Sequence, residues 1–193
     1  FPNEKETNIM NGAQKAAVER GEERGTQRQR NTNMLMQSGG FNLVMNNIHP
    51  IFGLRTEFQP EHILFCLCVG AEARGEPKEG IERVACVIMN RWLAQREYFG
   101  KTIRDVILKH NTDNVYQFSA MHPENINRKW MIEPDASSWI KVVKIALPFY
   151  LSKRLINPKG MFYYVSDKIE PPKWTENLVE HIHIGGHRFY KEI

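Results

Sequence analysis

Two apolar stripes at helical spacing, separated by a handful of residues, constrain this chain more than any other feature. Ile63, Leu64, Leu67, Cys68 and Ala71 recur with a helical period, and so do Ile81, Val84, Ala85, Ile88 and Trp92. Between them runs "GAEARGEP", residues 70–77. Two such stripes on so short a connection bury their apolar faces most easily against each other, as a helical hairpin. Pro60 suits the first position of the first helix, Gly75 a left-handed stop, and Pro77 the start of the second helix. The odd member of this pattern is Glu72, a carboxylate at the carboxyl end of an otherwise apolar helix.

Further along, "TIRDVILKH" (Thr102 to His110) predicts a short helix capped by Thr102, and "DASSWIKVVKIALPFYL" (Asp135 to Leu151) a longer one that Pro148 should kink or end. After the turn signal "NPKG" (Asn157 to Gly160), "MFYYV" reads as a strand. "VEHIHIGGHRFY" (Val179 to Tyr190) reads as two strands meeting at Gly185-Gly186. The expected fold class is α+β: a mostly helical domain over residues 59–193 with a small antiparallel sheet late in the chain.

Residues 1–58 differ in character. All four Trp and all six Tyr of the 193-residue chain lie beyond them. The stretch "ERGEERGTQRQRNTN" (Glu19 to Asn33) is polar and interrupted by Gly21 and Gly25. Such a segment cannot offset its own ordering entropy by apolar burial. It is expected to be an extended arm docked on a protein partner, with "MLM" (Met34 to Met36) and "FNLVM" (Phe41 to Met45) as anchors.

The net charge of +4 suits an anionic partner, but no nucleic-acid recognition motif accompanies it. No apolar run is long enough to span a bilayer, and there is no signal peptide. Cys66, Cys68 and Cys86, odd in number and set in apolar stretches, read as buried thiols. His181 and His183 share a strand face and with His187 could make a three-histidine zinc site. No acidic partner is spaced alongside, so no metal or cofactor is expected.

Glu72 has two readings on pattern alone: an ordinary helix-terminal glutamate in solvent, or a general acid. The negative end of a helix and the walls of two packed helices both disfavour a charged carboxyl, as a general acid requires. Glu76 is the candidate second carboxylate, with support of the turn as its plainer role.

"VGAEARGEPKEGIERVACVIMNRW" (Val69 to Trp92) resembles the signature of SleB-like cell wall hydrolases, named for spore-cortex-lytic enzymes and found also in bacteriophages. "YQFSA" (Tyr116 to Ala120), "NPKGMFYYVSDKIEPPKW" (Asn157 to Trp174) and "IGGHRFY" (Ile184 to Tyr190) resemble further segments of that family, in the right order. The chain departs from many relatives in having Ala120 rather than Trp after Gln-Phe-Ser, and in lacking a histidine in "MFYYV".

The resemblance implies a lysozyme-like catalytic domain and a lytic transglycosylase that cuts peptidoglycan glycan strands, with Glu72 as sole acid and base. Gln117, Ser119, Tyr163, Tyr164 and Trp174 fall at positions suited to binding sugar. Two alternatives remain: a hydrolytic muramidase, for which Asp113, Glu124 or Asp167 would be the second carboxylate, and an inactive virion assembly or peptidoglycan-binding protein. The arm, the absence of a signal peptide and a start at Phe1 rather than Met together lead to the expectation of a phage virion protein. It would act in the host cell wall or periplasm, with a virion partner held through residues 1–58.

Overall fold

The computed structural model describes residues 49, 50, 54–153 and 160–193. The arm anchors and most of the "NPKG" turn lie outside the described residues. The helices are α1 (Glu61–Ala73), α2 (Lys78–Ala94), α3 (Ile103–Leu108), α4 (Arg128–Ile132) and α5 (Ala136–Ser152). The strands are β1 (Met161–Ser166), β2 (Leu178–Ile184) and β3 (His187–Glu192). The result is a mostly helical α+β domain with a late three-stranded antiparallel sheet, ordered β1-β3-β2.

At the centre lies α1, buried all round rather than along one stripe. Phe65, Cys66 and Val69 are as inaccessible as Leu64 and Leu67. It packs against α2, α3, α4 and α5. A helix apolar on every side belongs in a core. All three cysteines are buried, and burial pushes the Cys86 thiol up to about 12. The α2 stripe Ile81, Val84, Ala85 and Ile88 is fully buried, whereas Trp92 is only half-buried, with Lys153 above its ring.

The ends of α1 differ from expectation. Pro60 is the N-cap residue, with extended ψ, and the first helical residue is Glu61. Gly75 does not adopt a left-handed conformation. At the end of α1, Gly70 O and Ala73 O accept from the backbone N–H groups of Arg74 and Glu76, and Ala71 O accepts from Arg74 Nη1 at 3.2 Å. Lys141 Nζ, from α5, donates to the carbonyls of the following turn, Arg74 O (3.1 Å) and Glu76 O (2.9 Å).

Thr102 caps α3 as expected, and Asp105 completes a capping box with it, while Asp135 caps α5 by accepting from Ser138 N at 2.8 Å. Pro148 lies inside α5, and the helix continues to Ser152. The short α4 carries too few residues for a periodic signal. Before α1, the 3-10 turn Thr56–Phe58 is tied to the domain: Arg104 donates to the carbonyls of Glu57 and Gln59, and Arg128 pairs with the Glu57 carboxylate.

The sheet is fastened to α2 where β1 begins. A register shift between Met161 and Tyr163 leaves Phe162 out of the strand pairing. Arg91 Nε donates to the Phe162 carbonyl at 2.7 Å, and Asn90 Nδ2 donates to the Met161 carbonyl at 2.8 Å.

Candidate active site

Glu72 is half-buried in the last turn of α1. Its Oε1 accepts a hydrogen bond from the Ala120 backbone N–H at 2.8 Å, and Ser119 Oγ lies 3.4 Å away as a second donor. Ser119 and Ala120 belong to a 3-10 turn, Ser119–Met121, that packs against α1. From the sheet side, the Tyr164 hydroxyl bears on the same carboxyl. Burial, reinforced by the Glu72 charge, holds that hydroxyl well above its ordinary pKa, so it remains a proton donor across the neutral range.

Ser119 also lines an open groove of about 480 Å³ shared with Asp113, Tyr116, His122, Glu124 and Asn125. The anchored carboxyl therefore sits beside a groove that holds two further carboxylates, Asp113 and Glu124.

The remaining sequence-derived candidates divide by face. Gln117 uses its amide on protein groups: Oε1 accepts from Arg91 Nη1 (3.1 Å) and Nε2 donates to Tyr98 O (2.9 Å). It also lines a second open groove, with Tyr98, Lys109, His110 and Val115. Tyr163 and Tyr164 alternate on β1 and face opposite sides. Tyr164 meets His187 and Phe189, whereas Tyr163 meets Phe99 and the half-exposed Trp174 ring at 5.7 Å. Burial, together with Tyr98 and Glu192, pushes the Tyr163 hydroxyl up to about 12.

Glu76 points away from the groove and into the β2–β3 turn. Its Oε2 accepts from Gly186 N at 2.9 Å, and Oε1 lies 3.5 Å from His187 Nδ1. Gly185 has φ +57, and a Cβ there would stand 1.7 Å from Glu76 Oε2. The two motifs "RGEP" and "IGGH" are thus halves of one latch. His183 pairs with Asp167 at 3.4 Å beside it. Among the described residues no three His, Cys, Asp or Glu side chains converge as metal ligands.

This latch gives a prediction. Glu76→Ala removes the acceptor of a partly buried N–H and should lower stability by about 1–3 kcal/mol. Gly185→Ala should cost a similar amount in the parent. In the Glu76→Ala background it should cost less, because the collision with the carboxylate is gone and what remains is the left-handed strain, about 1 kcal/mol, and a tight 3.0 Å approach to Pro77 Cδ. A double-mutant cycle by urea unfolding measures this coupling. Strictly additive costs would mean that the carboxylate does not hold the turn.

Sequence reasoning missed the Ala120 N–H, Arg91 and Tyr98. A backbone donor leaves no residue-type signal. Arg91 did leave one, a charge in "MNRW" among residues destined for burial.

Fold and site together define a small helical domain built around one anchored glutamate beside an open groove, with aromatic side chains behind it. A family model described as Cell Wall Hydrolase matches residues 75–190, and the chain belongs to that family. Peptidoglycan degradation is the activity this membership indicates. The match begins at Gly75, so Glu76 and the later candidates fall within it and Glu72 just before it. No curated protein and no solved structure matches the chain.

Proposed function

We propose that this cell wall hydrolase is a lytic transglycosylase that cleaves the MurNAc–GlcNAc bond with Glu72 as its only acid and base. The observation that carries the reading is the setting of the Glu72 carboxyl. Its contacts among the described residues are the Ala120 N–H and the Ser119 and Tyr164 hydroxyls, all neutral donors. They orient the group without placing a second carboxylate against it.

In the reaction, the Glu72 acid gives its proton to the glycosidic oxygen as the bond to the muramic anomeric carbon breaks. The GlcNAc portion leaves with a free hydroxyl. The muramic N-acetyl oxygen supports the positive charge at the anomeric carbon. The Glu72 carboxylate then takes the proton of the muramic 6-hydroxyl as that oxygen attacks the same carbon. The product is a 1,6-anhydro sugar, Glu72 is protonated again, and no water is consumed. Two-carboxylate glycosidases differ in needing a base or nucleophile on the opposite side.

A hydrolytic muramidase is the second reading, favoured by Asp113 and Glu124 in the groove that Ser119 also lines. Mass spectrometry of fragments released from purified peptidoglycan separates the two. Anhydro-muropeptides support the transglycosylase; reducing-end products replace it with the muramidase. No products from folded protein would support the inactive binding or assembly protein.

Delivery by a phage particle, with residues 1–58 as the docking arm, belongs to the same proposal and rests on the polar, Trp- and Tyr-free composition of that stretch. Loss of particle incorporation on deleting residues 1–58 would support it, and unchanged incorporation would overturn it.

A further inference from the structure

Arg91 is 6% exposed and forms no ion pair among the described residues. A buried guanidinium without an adjoining carboxylate is unfavourable in itself. Its surroundings compensate in part. The charge sits over the Phe118 ring at 4.9 Å, Phe99 at 5.4 Å and Tyr163 at 5.6 Å. Its two hydrogen bonds go to the Phe162 carbonyl and to Gln117 Oε1.

Both grips lead to Glu72. Gln117 and Phe118 immediately precede Ser119 and Ala120, the donors at the carboxyl. Phe162 lies on β1 shortly before Tyr164, the third donor. The titratable groups facing the guanidinium are Cys68 and Glu72 from α1 and Tyr163 and Tyr164 from β1. Burial and neighbouring charge hold the Cys68 thiol and both phenols in their neutral forms at neutral pH.

We infer that Arg91 is the positioning residue of the Glu72 centre, holding the Gln117–Ala120 segment and β1 in the arrangement that aims three donors at the carboxyl. This rests on the reading of Glu72 as the acid and base.

The test uses the full chain and initial rates of fragment release from purified peptidoglycan, across substrate concentration and pH. Arg91→Lys keeps a charge but cannot hold both oxygens; kcat should fall about 10-fold, with KM within about twofold and the pH profile unmoved. Arg91→Met removes the charge as well. Its kcat should fall further, about 100-fold, again with KM within about twofold.

Rates that merely follow the folded fraction would overturn the inference and leave Arg91 a structural residue. If Arg91→Met does not fold, Arg91→Lys and Gln117→Leu decide. Gln117→Leu removes one grip and keeps the charge, so a reduced kcat with an unmoved profile supports the inference, and parent kcat in both variants overturns it. Glu72→Gln, assayed in parallel, reports on the underlying reading separately: if it retained parent activity, that reading would fall whatever Arg91 does.

Discussion

Glu72→Gln should reduce fragment release from peptidoglycan by about 10³-fold, within the range by which a positioned acid–base group accelerates proton transfer. Folding should hardly change. The contact at Glu72 that most affects stability is acceptance of the Ala120 N–H at 2.8 Å, and a glutamine oxygen in the same place accepts it equally well. The expected change in stability is under about 1 kcal/mol. The variant thus separates chemistry from structure, since glutamine keeps shape and acceptor and loses only the exchangeable proton. Rates on purified peptidoglycan and a urea unfolding curve, measured on the same preparation, check both halves. A folded Glu72→Gln protein with parent activity would move attention to Asp113 and Glu124 in the neighbouring groove.

Gly70→Ala should destabilise the domain by about 2–3 kcal/mol, opposite to the gain of about 1 kcal/mol that replacing a helical glycine by alanine ordinarily brings. Gly70 lies in α1 against the Trp130 ring of α4. An added Cβ would stand 2.2 Å from ring atom Cη2 and 2.5 Å from Cζ3. The ring has little room to yield. It is buried, its Nε1 donates to Asp135 Oδ2 at 3.1 Å, and the Arg74 guanidinium lies over it at 5.3 Å. Gly75, in the same motif, is exposed, with nothing within 4 Å of an added Cβ. Gly75→Ala should therefore leave stability within about 0.5 kcal/mol of the parent. Equal urea midpoints for Gly70→Ala and Gly75→Ala would mean that α1 and α4 do not meet as closely as the structure has them.

Most of the elements were legible from local pattern. The α1–α2 hairpin follows from the two apolar stripes, the α3 cap from Thr102, and the β2–β3 hairpin from Gly185-Gly186. These depend on spacing and backbone preference within a few residues, which a sequence displays directly. The failures share one cause. Gly75 is not left-handed, and α5 does not end at Pro148 but runs on to Ser152. A glycine's or a proline's local preference is worth only a kilocalorie or a few, too little to fix either outcome by itself.

The site divides in the same way. The unusual carboxylate, the Gln-Phe-Ser segment and the paired tyrosines stand out in the sequence because their residue types are conspicuous where they occur. The sequence by itself determined that an apolar helix ends in Glu72 beside a turn, and that a second glutamate follows at once. Tertiary structure alone decided how the two differ. Glu72 meets the Ser119–Ala120 turn beside a groove, whereas Glu76 closes on Gly186 and His187. The physical reason is that a carboxylate's role depends on which donors surround it. Those donors come from residues dozens of positions away, brought near only when the helices and sheet pack.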